Sequence, residues 1–123
     1  MFELKVEDYL AAAHNLREYQ GECEALHGHN WKIEVVVRAS ELNSIGLAID
    51  FKELKEALGG VLGGLDHKYL NELAPFDEIN PSSENIAKYI FENVNRLISG
   101  SGATVYKVTA WESEKACASY LEG

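Results

Sequence analysis

The chain has 123 residues and a mass of 13.7 kDa, of which 46% are hydrophobic and 25% charged; that is one soluble domain over residues 1–123, with enough chain to bury a core and none of the bias of a disordered polypeptide. Eleven Lys and Arg against 20 Asp and Glu give a formal charge of −9, which excludes a general nucleic-acid binder or a polybasic membrane-surface protein. No run approaches the roughly 18 apolar residues of a membrane span, and Met1–Asp8 has neither the basic start nor the apolar run of a signal peptide. With two cysteines, Cys23 and Cys117, there is one disulfide at most, and the expected location is the cytoplasm.

The first predicted element is a strand over residues 2–12, where Phe2, Leu4 and Val6 alternate with Glu3, Lys5 and Glu7. Residues 15–26 carry Gly21 and many polar groups and read as a loop. The β-branched and aromatic run His29–Ala39 is the best strand of the chain. Asp50 then stands as N-cap before Phe51, Leu54, Leu58 and Val61, the apolar stripe of a helix whose far end is weakened by Gly59-Gly60 and Gly63-Gly64. Asn80-Pro81-Ser82-Ser83-Glu84 signals a second helix start, followed by the stripe Ile86, Ile90, Val94, Leu97 and a stop at Gly100-Ser101-Gly102. Residues 103–112 and 115–121 close the chain as a hairpin around Ser113-Glu114. The order ββααββ predicts an α+β fold, with two helices packed on one face of a four-stranded antiparallel sheet. Its two open edges call for covering, which an edge-to-edge oligomer would supply.

The four histidines are not scattered. His27-Gly28-His29 opens the strong strand with i, i+2 spacing, so both rings can share a face, and Gly28 permits a tight backbone or a close approach there. Antiparallel pairing of the first two strands brings His14 beside them. Three neutral imidazoles suit Zn²⁺ and leave a fourth position for water or substrate; on spacing alone, ordinary histidines without metal remain an equal alternative. Cys23, four residues before His27, is a fourth ligand, a thiol acidified by a nearby cation, or a small buried residue. Cys117 fits the last description better. Asp66-His67 offers a carboxylate to fix an imidazole tautomer, although adjacent residues do not always face each other. Glu112 is the remaining carboxylate of interest, one among 20 acids.

Taken together, Ala12-Ala13-His14-Asn15-Leu16, Cys23 with His27-Gly28-His29-Asn30-Trp31, Ile49-Asp50-Phe51, Leu65-Asp66-His67 with Leu70-Asn71, Asn80-Pro81-Ser82-Ser83-Glu84-Asn85 and Trp111-Glu112-Ser113 resemble the 6-pyruvoyltetrahydropterin synthase superfamily over nearly the whole chain. Three residues between the cysteine and the first histidine of the HGH resemble its 6-carboxytetrahydropterin synthase branch, the enzymes of queuosine formation. Leu10, where the family usually has an aromatic, and Ser113, where it more often has Thr, depart from the pattern.

The resemblance implies the tunnelling fold, with trimers closing a barrel and two trimers stacking as a hexamer whose active sites lie between subunits. It implies Zn²⁺ on His14, His27 and His29, Cys23 as general base, His67 partnered by Asp66 as a second acid–base group, and Glu112 as the pterin anchor. The implied substrate is 7,8-dihydroneopterin triphosphate. Lys32, Lys52, Lys68, Lys107 and Lys115 are the candidates for holding its phosphates against the net negative charge. Three rivals stand: the 6-pyruvoyl branch, a tunnelling-fold aldolase acting on dihydroneopterin without zinc, and a non-catalytic zinc-dependent assembly module.

Overall fold

The computed structural model describes residues 1–123. Strand β1 (Phe2–His14) pairs antiparallel with β2 (His27–Ala39), and β3 (Thr104–Ser113) with β4 (Ala116–Leu121), in a sheet of spatial order β1-β2-β3-β4. Between them lie helices α1 (Phe51–Gly63) and α2 (Ser83–Leu97) and a single 3-10 turn at Leu70–Glu72. The α+β architecture and the ββααββ order are those expected, with β1 and β4 at the edges. No helix is long and apolar enough to cross a membrane.

The inner face of the sheet follows from alternation. Val6 and Leu10 of β1 and Trp31, Ile33, Val35 and Val37 of β2 are buried beneath the helices, while Lys5, Lys32 and Glu34 point to the helix-free face, where Lys5 Nζ donates to Glu34 at 2.9 Å. Asp50 caps α1 by accepting from Lys52 N–H, and Ser82 caps α2 by accepting from Asn85 N–H.

Several details differ from the sequence reading. Helix α1 runs through Gly59-Gly60 to Gly63. Those two glycines are exposed, and their propensity cost of about 1 kcal/mol each is offset by the burial of Leu54, Leu58, Val61 and Leu62 on the opposite side. Phe51 and Leu97 are exposed rather than part of the buried stripes. Four-residue steps from Ile86 through Ile90 and Val94 arrive at Ile98, which is buried instead. Cys117 is also exposed, because edge strand β4 leaves its alternate residues open. Gly28 is an ordinary strand residue; a Cβ there would meet Ala12 O at 3.6 Å, so no close approach demands glycine.

Candidate functional site

The inner face of the β1–β2 pair continues past the core in cross-strand rows. Leu10 faces Trp31, Ala12 faces His29, and His14 faces His27. The apolar rows set the register, and the register delivers three imidazoles to one corner of the sheet. Their ligand nitrogens lie within 4.8 Å of one another, so these three residues could hold a metal ion. Strand β2 begins at His27 rather than His29, and β1 reaches His14, so all three ligands are strand residues. Trp31 floors the cluster, its ring 4.9 Å from that of His14 and 5.2 Å from that of His29.

The hydrogen bonds select the tautomers. His14 Nδ1 donates to Pro81 O at 2.7 Å, and His27 Nδ1 donates to Ala25 O at 2.9 Å. Each ring therefore turns an Nε2 lone pair inward, and these two atoms are 3.1 Å apart. Two facing lone pairs repel unless a cation lies between them. Zn–N bonds of 2.0–2.1 Å in a tetrahedron place ligand nitrogens roughly 3.3 Å apart, so the His14–His27 pair is spaced to share such an ion. Burial pushes the His14 pKa below its ordinary value, with the other two histidines adding to the effect and the Pro81 carbonyl opposing it. A neutral imidazole is the ligating form.

Glu112 approaches from β3. The β3–β4 register slips between Trp111 and Ser113, so Glu112 is the extra residue of a bulge, a device that re-aims side chains beside functional sites. Trp111 turns to the helix-free face and donates its indole N–H to Glu34. The carboxylate of Glu112 reaches within 3.7 Å of both His14 Nε2 and His29 Nε2.

His14, His27 and Glu112 border a cleft of about 370 Å³, also lined by Tyr19, Glu24 and the start of α2. Glu24 was not singled out by sequence reasoning; its carboxylate accepts from Leu16 N–H at 3.1 Å and lies 3.8 Å from His27 Nδ1. The only available signal was its place inside the Cys23–His27 interval. Cys23 is exposed and is not among the cleft-lining residues. None of the five candidate lysines lines this cleft either. Lys32 faces Glu7 at 3.7 Å on the other side of the sheet, and Lys68 donates to Gly64 O.

Asp66 and His67 form a second group against the outer edge of β1, where His67 and His29 both line an open cavity of about 340 Å³. Asp66 Oδ1 accepts from Ala11 N–H at 2.9 Å and Oδ2 accepts from His67 Nδ1 at 2.7 Å. Adjacent residues face each other here because His67 has a left-handed backbone with φ of 59°, a conformation costing a non-glycine residue about 1 kcal/mol or more. The Ala11 amide foremost, and then His67, hold the Asp66 carboxyl below its ordinary pKa. The His67 ring is 81% exposed.

A family model described as 6-pyruvoyl tetrahydropterin synthase matches residues 3–123. A 6-carboxy-5,6,7,8-tetrahydropterin synthase of Bacillus subtilis is 35% identical over 102 residues, covering 79% of this chain and 68% of the relative. A dihydroneopterin monophosphate aldolase of Pyrococcus furiosus is 36% identical over 94 residues, 76% of each chain. The solved 6-pyruvoyl tetrahydropterin synthase of Caenorhabditis elegans superposes with a TM-score of 0.84 at 26% identity, over 99% of this chain and 96% of that one. With its family match running from the third residue to the last, its tunnelling fold and its strand-borne histidines, the chain belongs to the 6-pyruvoyl tetrahydropterin synthase family.

Proposed function

We propose that the chain is a Zn²⁺-dependent lyase that converts 7,8-dihydroneopterin 3′-triphosphate to 6-carboxy-5,6,7,8-tetrahydropterin, releasing acetaldehyde and triphosphate, within queuosine biosynthesis in the cytoplasm. The observation that carries this reading is the convergence of the His14, His27 and His29 nitrogens, in a chain whose Cys23 precedes the HGH by the spacing of the 6-carboxy branch. The Bacillus relative of that name supports it. The working form is a hexamer of two stacked trimers, in which the open edges of β1 and β4 are joined.

His14, His27 and His29 would hold the ion, which when bound supplies Lewis-acid stabilisation of negative charge developing on the substrate's side-chain oxygens. Glu112 accepts hydrogen bonds from the pterin ring's N–H and amino groups, a charge-assisted contact that orients the side chain toward the histidine corner. Cys23 removes and returns protons on that side chain. His67, its tautomer fixed by Asp66, is the second proton carrier. Because His67 is exposed on the outer edge of β1, it serves most naturally where another copy of the chain packs against that edge.

Two other products are distinguishable, and each has a named relative behind it. A 6-pyruvoyl product is the activity in the name of the Caenorhabditis structure. The Pyrococcus relative carries the name of a dihydroneopterin monophosphate aldolase. Zinc-loaded protein given 7,8-dihydroneopterin triphosphate decides by product mass together with an acetaldehyde assay. Acetaldehyde with a 6-carboxy pterin is the expected result. A 6-pyruvoyl pterin without acetaldehyde, or a 6-hydroxymethyl pterin, overturns the assignment in favour of the corresponding relative.

A further inference from the structure

The segment Asn80-Pro81-Ser82-Ser83 reads in sequence as a helix start, yet only Ser82 acts as the cap. Pro81 and Ser83 face the histidine corner. Pro81 O accepts from His14 Nδ1 at 2.7 Å, and Ser83 Oγ accepts from the Trp31 indole N–H at 3.2 Å, so the same turn holds both one ligand and the ring beneath the ligands.

What holds the turn is visible along the outer edge of β1 and its extension. Ala11 is bonded to Asp66 and His67, and Ala13 N–H donates to Lys68 O at 3.0 Å. Beyond His14 the partners become side-chain amides. Asn71 accepts from Asn15 N–H at 3.0 Å and donates to Asn15 O at 2.8 Å. Asn80 accepts from Arg17 N–H at 2.8 Å and donates to Arg17 O at 3.1 Å. Each carboxamide thus satisfies the donor and the acceptor of one backbone residue, as a neighbouring strand would. Asn80 also offers its own carbonyl to Asn85 Nδ2 at 2.8 Å, which ties the turn to α2.

We infer that Asn80 is a positioning residue for the metal centre: by pinning the turn to the chain just beyond His14, it keeps the Pro81 carbonyl on His14 Nδ1 and so holds Nε2 toward the ion. The partner that orients a metal-ligating histidine typically governs affinity 10–100-fold. This inference rests on the metal reading above, and its test separates the two.

The test compares wild type with Asn80→Ala and with Asn43→Ala. Asn43 Oδ1 accepts from Ile45 N–H and Leu47 N–H, both at 3.0 Å, in the loop after β2, at the far end of that strand from His27. Its loss removes two hydrogen bonds without touching the turn. Zn²⁺ affinity is read by chelator competition, and the His14 tautomer by ring-nitrogen NMR of the metal-free protein. Asn80→Ala is expected to bind Zn²⁺ about 10-fold or more weakly and to lose the fixed Nδ1–H signal of His14, whereas Asn43→Ala keeps both. Should Asn80→Ala not fold, Asn80→Asp, which keeps the acceptor for Arg17 N–H, is read the same way and gives a smaller shift in the same direction. Unchanged affinity and an unchanged His14 signal in a folded Asn80 variant, or equal losses in Asn43→Ala, overturn the inference. Wild type that binds no Zn²⁺ sinks the metal reading alone, because the tautomer measurement needs no metal.

Discussion

His14, His27 and His29 stand on two paired strands, whereas Cys23, Asp66 and His67 stand on the connections between elements. The first group inherits its geometry from the core, since the packed Leu10–Trp31 row fixes the register that brings the three rings together. A one-residue slip would turn every one of these side chains to the other face. The second group has no such guide. Cys23 is exposed, and the Asp66–His67 pair, though internally ordered, presents an 81% exposed ring outside the cleft. A single chain therefore builds a place for a metal by itself, but leaves the proposed proton carriers to be brought to the substrate by an adjoining copy or by the substrate itself.

That contrast predicts different consequences for substitutions in the two regions. Cys23→Ala should lower turnover by about 10²–10⁴-fold, the range of general acid–base catalysis, while metal content and assembly stay as in wild type. Elemental analysis alongside the rate measurement decides, because zinc loss from this variant would make Cys23 a ligand and erase the distinction. A smaller effect is expected at the boundary between the regions. Glu112 lies beside the histidines but is assigned to the pterin, so Glu112→Ala should weaken pterin binding about 10–100-fold, the equivalent of one charged hydrogen bond, with zinc retained. Titration with unchanged affinity would remove Glu112 from the binding role, and loss of the metal would move it into the metal site.

The legible parts of the molecule were those governed by periodicity. The His-x-His spacing was enough to put His27 and His29 on one face and antiparallel pairing of the first two strands to bring His14 beside them, and the N-caps at Asp50 and Ser82 followed from residue chemistry. What sequence could not show depends on elements distant in the chain. The Pro81 carbonyl that fixes the His14 tautomer is 67 residues away, and a backbone acceptor leaves no mark in side-chain pattern. The bulge that directs Glu112 inward is set by the β3–β4 register, which the residue types alone do not specify. Glu24 reaches the cleft through a turn-rich loop with no repeating pattern to read. The glycines within α1 and the exposure of Leu97 show the same limit at the level of packing, where burial on one side of a helix outweighs local propensity on the other.

The central claim, that the strand-borne histidines are the working metal centre, is tested most directly by measuring metal content and turnover together in wild type and His27→Ala. Wild type is expected to retain about one Zn²⁺ per chain, as a three-histidine site would, and to lose activity on chelation and regain it with zinc; folded His27→Ala should retain neither metal nor activity. Full turnover by metal-free wild type, or a full complement of zinc in His27→Ala, would contradict the account.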